Sequence, residues 1–128
     1  MDCIFCNIIS DPSQALVVYD DNDFLAFLDI NPINEGHTLL IPKKHTQFIW
    51  DMEQNDYNQI FETGKIIQEK LQKAFSPKAV GMAIEGLTVP HTHIHFVPLY
   101  NMGELNPMRA KRATKEQLLA TFQKINQS

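Results

Sequence analysis

The amino-acid sequence predicts an α+β domain: a mainly antiparallel sheet of about five strands, one long central helix and a C-terminal helix. Three observations carry this reading. The N-terminal apolar runs are separated only by short polar turns, whereas parallel neighbours need a crossover of a dozen or more residues. A single long segment, from about Asp51 or Met52 to Phe75, has helical period. Strand and helix blocks are segregated rather than regularly alternating.

Leu16–Tyr19 is an apolar, partly β-branched run, Asp20–Asp23 a polar turn, and Phe24–Leu28 a second apolar run, which together read as a hairpin. Asn31–Pro32 stops the second strand, since proline cannot donate to a ladder. After the turn Asn34–Gly36, His37–Ile41 is a third strand ended by Pro42. In the central helix Ile60, Gly64, Ile67 and Leu71 share one stripe, with Phe61 and Phe75 beside it. Asp51 is its expected N-cap and Ser76-Pro77 its stop. Ala79–Glu85 and His91–Val97 read as the fourth and fifth strands. Thr114 and Gln117 have capping-box spacing, opening a last helix that buries Leu118, Phe122 and Ile125.

A chain of 128 residues with 44% apolar content fits one domain, 1–128. It has neither an 18-residue apolar run nor a charged-then-apolar leader, so no membrane partner and a cytoplasmic location are expected. A net charge of −4, with Arg109–Arg112 as the only short basic cluster, argues against a nucleic-acid partner. The two cysteines, Cys3 and Cys6, form one C-x-x-C pair. Such a pair is a redox motif or half of a zinc site. No strand precedes it to make the thioredoxin context, so half a zinc site is the better reading.

The segment Val89–Pro98, "VPHTHIHFVP", holds three of the five histidines at alternate positions. In a strand, His91, His93 and His95 would share a face, about 13 Å end to end. That is too far for one ion to hold all three, although two could join a zinc site. The other readings are idle histidines on a half-exposed strand, and a nucleophile with helpers. An imidazole, with an ordinary pKa near 6.5, attacks at neutral pH without a separate base, and its neighbours can donate hydrogen bonds to phosphate oxygens.

His91-Thr92-His93-Ile94-His95-Phe96-Val97 resembles the signature of the histidine triad (HIT) nucleotide hydrolases and transferases. "CIFCNIIS" (Cys3–Ser10), "LAFLDINP" (Leu25–Pro32) and "GHTLLIPKKH" (Gly36–His45) also resemble the bacterial, single-domain members in order. The resemblance implies that His93 attacks the α-phosphorus of a purine nucleotide, forming a nucleotidyl-histidine that water cleaves. It implies phosphate contacts for His95 and Thr88, ribose contacts for Asp29, and an apolar base slot of Phe5, Ile8, Phe27 and Ile30. It further implies a structural zinc on Cys3, Cys6, His45 and His91, and a homodimer. Substrates of the class would be phosphoramidates or dinucleoside polyphosphates. Rival readings are a nucleotide-binding module without turnover and a zinc hydrolase working through His93 and His95. The loop Glu85–Pro90 departs from the pattern, with Leu87 where glutamine is often found. His37 is expected to be a satisfied structural histidine, and Trp50 a packing residue.

Overall fold

Phe24–Leu28 is apolar at every position, and all five residues are buried, because this strand is covered on both faces. The computed structural model describes residues 3–128. Its strands are β1 (Val17–Asp20), β2 (Phe24–Leu28), β3 (Thr38–Pro42), β4 (Ala79–Ile84) and β5 (Ile94–Leu99). Its helices are α1 (Ile4–Ser10), α2 (Gln54–Phe75) and α3 (Lys115–Gln127). The sheet is antiparallel throughout, in the order β1-β2-β3-β5-β4. Among the described residues no helix is long and apolar enough to cross a membrane.

Side chains alternate across the sheet and build two cores. Phe24, Ala26, Leu28, Leu40, Ile94 and Phe96 meet Ile60, Ile67 and Leu71 of α2 and Ile125 of α3. On the opposite face Leu25, Phe27, Leu39 and Ile41 meet Cys3, Phe5 and Ile8 around the short α1. The stripe expected on α2 is the buried one: Ile60, Gly64, Ile67 and Leu71, with Thr63 beside them. The capping box of α3 forms as expected, Thr114 and Gln117 each accepting from the other's backbone N–H. Within α3, Ile125 is buried, while Leu118 and Phe122 are partly buried against the same core. Glu35 ties this helix to the β2–β3 loop, accepting from Thr121 at 3.0 Å and pairing with Lys124 at 3.0 Å.

Several boundaries differ from the sequence reading. α2 begins at Gln54 instead of Asp51, because Ile49–Asp51 closes a separate 3-10 turn and Met52 is extended. Asp51 therefore caps nothing, and the N-cap position falls on Glu53, without a side-chain cap. The expected stop is in place, with Ser76 left-handed at φ 47 before Pro77. Pro42 closes β3 from inside the strand, paired with Phe24, as the last position of a strand permits. The fifth strand starts at Ile94, so His91 and His93 precede it. α1, unforeseen in the sequence, is a short helix whose N-cap is Cys3. Trp50, expected to be packing, is 79% exposed and leans on Tyr57.

Candidate active site and metal centre

The fold brings all eight residues assigned to catalysis or nucleotide contact to one cavity. Phe5, Ile8, Phe27, Asp29, Ile30, Thr88, His93 and His95 line a volume of about 690 Å³ on the α1 side of the sheet. Phe5 and Phe27 meet edge to face at 5.5 Å and form an apolar wall. Ile30 is half-exposed at the mouth. Leu105, Pro107 and Ala110 supply a further wall that sequence reasoning did not assign. Their segment is held by backbone bonds from Lys111 to Pro32 (3.3 Å) and from Ala113 to Ile30 (3.0 Å). Gly86 carries a positive φ of 92, which favours glycine. A Cβ there would also come within 2.8 Å of the Gln47 carbonyl oxygen, so this turn sets where Thr88 emerges.

Hydrogen bonds to the backbone determine which nitrogen of each imidazole carries the proton. A carbonyl oxygen can only accept, so the 2.7 Å contact between His93 Nδ1 and the His91 carbonyl puts a proton on Nδ1. That leaves Nε2 of His93 with a lone pair. Every fully buried side-chain nitrogen or oxygen among the described residues has a partner, and His93 Nε2 has none. This atom is therefore the one open to the cavity. Phe5 packs edge-on against the ring at 5.1 Å and limits its rotation.

His91 has the opposite tautomer. Its Nε2 donates to the Pro42 carbonyl at 2.9 Å, leaving Nδ1 free to accept. That Nδ1 lies 3.3 Å from Cys3 Sγ, 3.6 Å from Cys6 Sγ and 3.1 Å from His45 Nδ1. Cys6 Sγ and His45 Nδ1 are 3.3 Å apart. Burial and the adjacent Cys3 sulfur push the Cys6 thiol up. Burial also holds His91 below the usual imidazole range. Two thiols and two imidazoles, with their donor atoms within 4.8 Å of one another, make a group that could hold a metal ion.

A second cluster, Asp29, His37 and His95, has a comparable spacing. His37 Nε2 lies 2.9 Å from His95 Nδ1 and 3.5 Å from Asp29 Oδ2. Its tautomer argues against a metal. The Ile33 N–H donates to His37 Nδ1 at 3.0 Å, so the proton of a neutral His37 sits on Nε2, where an ion would have to bind. That Nε2–H donates to His95 Nδ1, and the proton of His95 then sits on Nε2, on the cavity side. His37 is buried and satisfied, as expected, but its partner is the triad itself. A histidine opening the third strand, two residues on the same face from a cavity residue, was the signal available in the sequence.

Burial, with His37 and His93 beside it, pushes His95 down to about 4, and burial also lowers His37. A histidine whose native value lies below its unfolded value of about 6.5 binds protons first in the unfolded chain. Stability is therefore full above pH 6.5 and falls as the pH drops towards 4. The His95 share is about 2 kcal/mol, allowing for water reaching the cavity wall. Denaturant melts across this window should show a shallower pH slope in His95→Gln; an unchanged slope would remove His95 from the account.

The HIT domain family model matches residues 11–102. The chain is similar to a Hit-like protein of Bartonella henselae involved in cell-cycle regulation, 30% identical, with a TM-score of 0.87 over 98% of this chain and 95% of that one. It is also similar to a zinc-bound histidine triad protein of Mycobacterium smegmatis, 30% identical, with a TM-score of 0.80 over 99% and 95% of the two chains. The adenylylsulfatase HINT3 of Arabidopsis thaliana is 31% identical over 102 residues, covering 76% of this chain and 52% of that protein. The family model covers most of the chain and the antiparallel sheet agrees with these structures, so the chain belongs to the histidine triad (HIT) family.

Proposed function

We propose that the protein hydrolyses, or transfers, at the α-phosphate of a purine nucleotide through a covalent nucleotidyl-histidine at His93. One observation carries this: the His91 carbonyl holds the Nδ1 proton of His93 and leaves Nε2 unprotonated towards the cavity. In the first step Nε2 forms a bond to the α-phosphorus, and the bond to the leaving group breaks with its electron pair departing on that group. Water then attacks the same phosphorus, the P–N bond breaks, and the pair returns to Nε2. His95, held by His37, offers its Nε2–H to a phosphate oxygen; Thr88 offers its hydroxyl. Asp29 accepts from the ribose hydroxyls, and Phe5, Ile8, Phe27 and Ile30 flank the base. The adenylylsulfatase relative supports chemistry at an adenylyl phosphate.

Zinc fits the Cys3, Cys6, His45 and His91 set. Bonds of about 2.3 Å to sulfur and 2.0–2.1 Å to nitrogen imply tetrahedral edges of roughly 3.6 Å for S···N and 3.4 Å for N···N. The spacings of 3.3, 3.3, 3.6 and 3.1 Å lie close to these. Two thiolates and two imidazoles fill a tetrahedron and leave no position for substrate, so the metal's part is structural. The zinc-bound relative supports the same choice. A zinc hydrolase working through His93 and His95 is disfavoured, since among the described residues the two belong to no common ligand set.

We also take the protein to pair as a homodimer. β4 ends the sheet with an open edge and a half-exposed Met82, a template for a second copy. Light scattering should give twice the chain mass; a monomer mass would refute this.

The catalytic reading is tested by intact mass spectrometry after mixing with an adenylylated phosphoramidate and quenching with acid. An adduct of one nucleotide, absent in His93→Ala, is expected. Leu87, exposed where related sequences often carry glutamine, favours the alternative of a module that binds without turnover. Nucleotide binding with no adduct in a single turnover would establish that alternative.

A further inference from the structure

The identity of the leaving group can be read from what borders the phosphate. The argument rests on the α-phosphate reading above. The sheet order β1-β2-β3-β5-β4 sets out the site from one side to the other. Phe27 and Asp29, on β2 and at its end, mark the nucleoside side, and His93 and His95, at and in β5, mark the phosphate. A leaving group departs away from the nucleoside, which places it over β4 and the turn that follows.

The pairing there is specific. Ala83 pairs with His95 and Ile84 with Ile94, the last pair of the ladder, and Glu85 follows directly on it. Residues two apart share a face, which puts Ala83 and Glu85 on the histidine side. Both line the cavity, together with Thr88 and Val89. Glu85 is exposed, and among the described residues it makes no side-chain hydrogen bond or ion pair. The small Ala83 leaves room beside it. No lysine or arginine borders this end. Lys115, the cavity's lysine, begins α3 next to the strap bonded to Ile30, on the nucleoside side.

We propose that the leaving-group subsite takes a cationic amine and that Glu85 is the residue that reads its charge. The substrate class is then a nucleoside 5′-phosphoramidate of a diamine, not a dinucleoside polyphosphate. His93 Nε2 bonds to the α-phosphorus as the P–N bond to the amine breaks. The electron pair goes to the amine nitrogen, which takes a proton from water and leaves as the free amine. The second ammonium of the diamine lies against the Glu85 carboxylate throughout. A polyphosphate would set anionic oxygens against the same carboxylate with no cation to offset them.

The test compares kcat/KM for the diaminobutane phosphoramidate of AMP, its pentylamine counterpart and diadenosine triphosphate. The ratio within each variant is the readout. Wild type should favour the diamine over the neutral amine by about three- to five-fold, the range of a solvent-reached ion pair. The preference should shrink at 1 M salt, where screening acts within about 3 Å. It should fall to near unity in Glu85→Gln and reverse in Glu85→Lys. Equal rates for the two amines, a preference that survives in Glu85→Gln, or faster cleavage of the triphosphate would overturn the inference. Absence of turnover and of any His93 adduct would instead defeat the catalytic reading, and this inference with it.

Discussion

In His93→Ala, kcat for an adenylylated phosphoramidate falls by about 10⁴-fold or more, the scale seen when a covalent nucleophile is removed. The loss is this large because no neighbouring group can take the role. The Nδ1 lone pair of His91 faces the cysteines, and Nδ1 of His95 is occupied by His37. Thr88 has no base within its own hydrogen bonds to activate it. The apolar slot and Asp29 are untouched, so the variant should still bind AMP within a few-fold of wild type. Calorimetry with AMP alongside steady-state kinetics checks both halves. Retention of a tenth of the wild-type rate would show that another atom attacks.

Removing the proposed zinc, by chelator or by Cys6→Ala, should lower the melting temperature by about 12–20 °C while the sheet survives. A ligand that binds only the native state at a thousand times its Kd contributes about 4 kcal/mol. For a domain of this size each kcal/mol moves the midpoint by roughly 3–5 °C. The sheet survives because the core against α2 and α3 contains none of the four ligands. The effect is concentrated at α1, which Cys3 and Cys6 join to His91 and to His45 in the loop after β3. Phe5 rides on that helix and packs on His93, so loss of metal should also raise KM. Circular dichroism melts with and without chelator, scored with metal content by mass spectrometry, read the outcome. An unchanged midpoint after complete metal loss would remove the structural role.

Much of this site was legible along the chain because its determinants are local. Alternation predicted strands, the stripe Ile60, Gly64, Ile67, Leu71 predicted the buried face of α2, and Thr114 with Gln117 predicted the start of α3. Those patterns depend on neighbours a few residues away. Where a boundary failed, a local turn had displaced the expected element. His93 lies outside the strand because its Nδ1 bonds the His91 carbonyl, a local turn that replaces ladder pairing. Trp50, expected to be packing, is exposed because it lies in the separate 3-10 turn Ile49–Asp51, whose buried residue is Ile49.

By itself, then, the amino-acid sequence determined the class of fold, the histidine array and the family it resembles. Only the tertiary structure could assign each imidazole its work. Cys3 and His91 are 88 residues apart, and no spacing rule brings them to 3.3 Å. His37 looked like a core histidine until β3 and β5 paired and set it against His95. Glu85 reached the cavity only because β4, the strand it follows, pairs with β5. The physical reason is common to all three. A side chain's protonation, ligand and partner depend on which backbone carbonyls and amides surround it, and those come from strands distant in sequence.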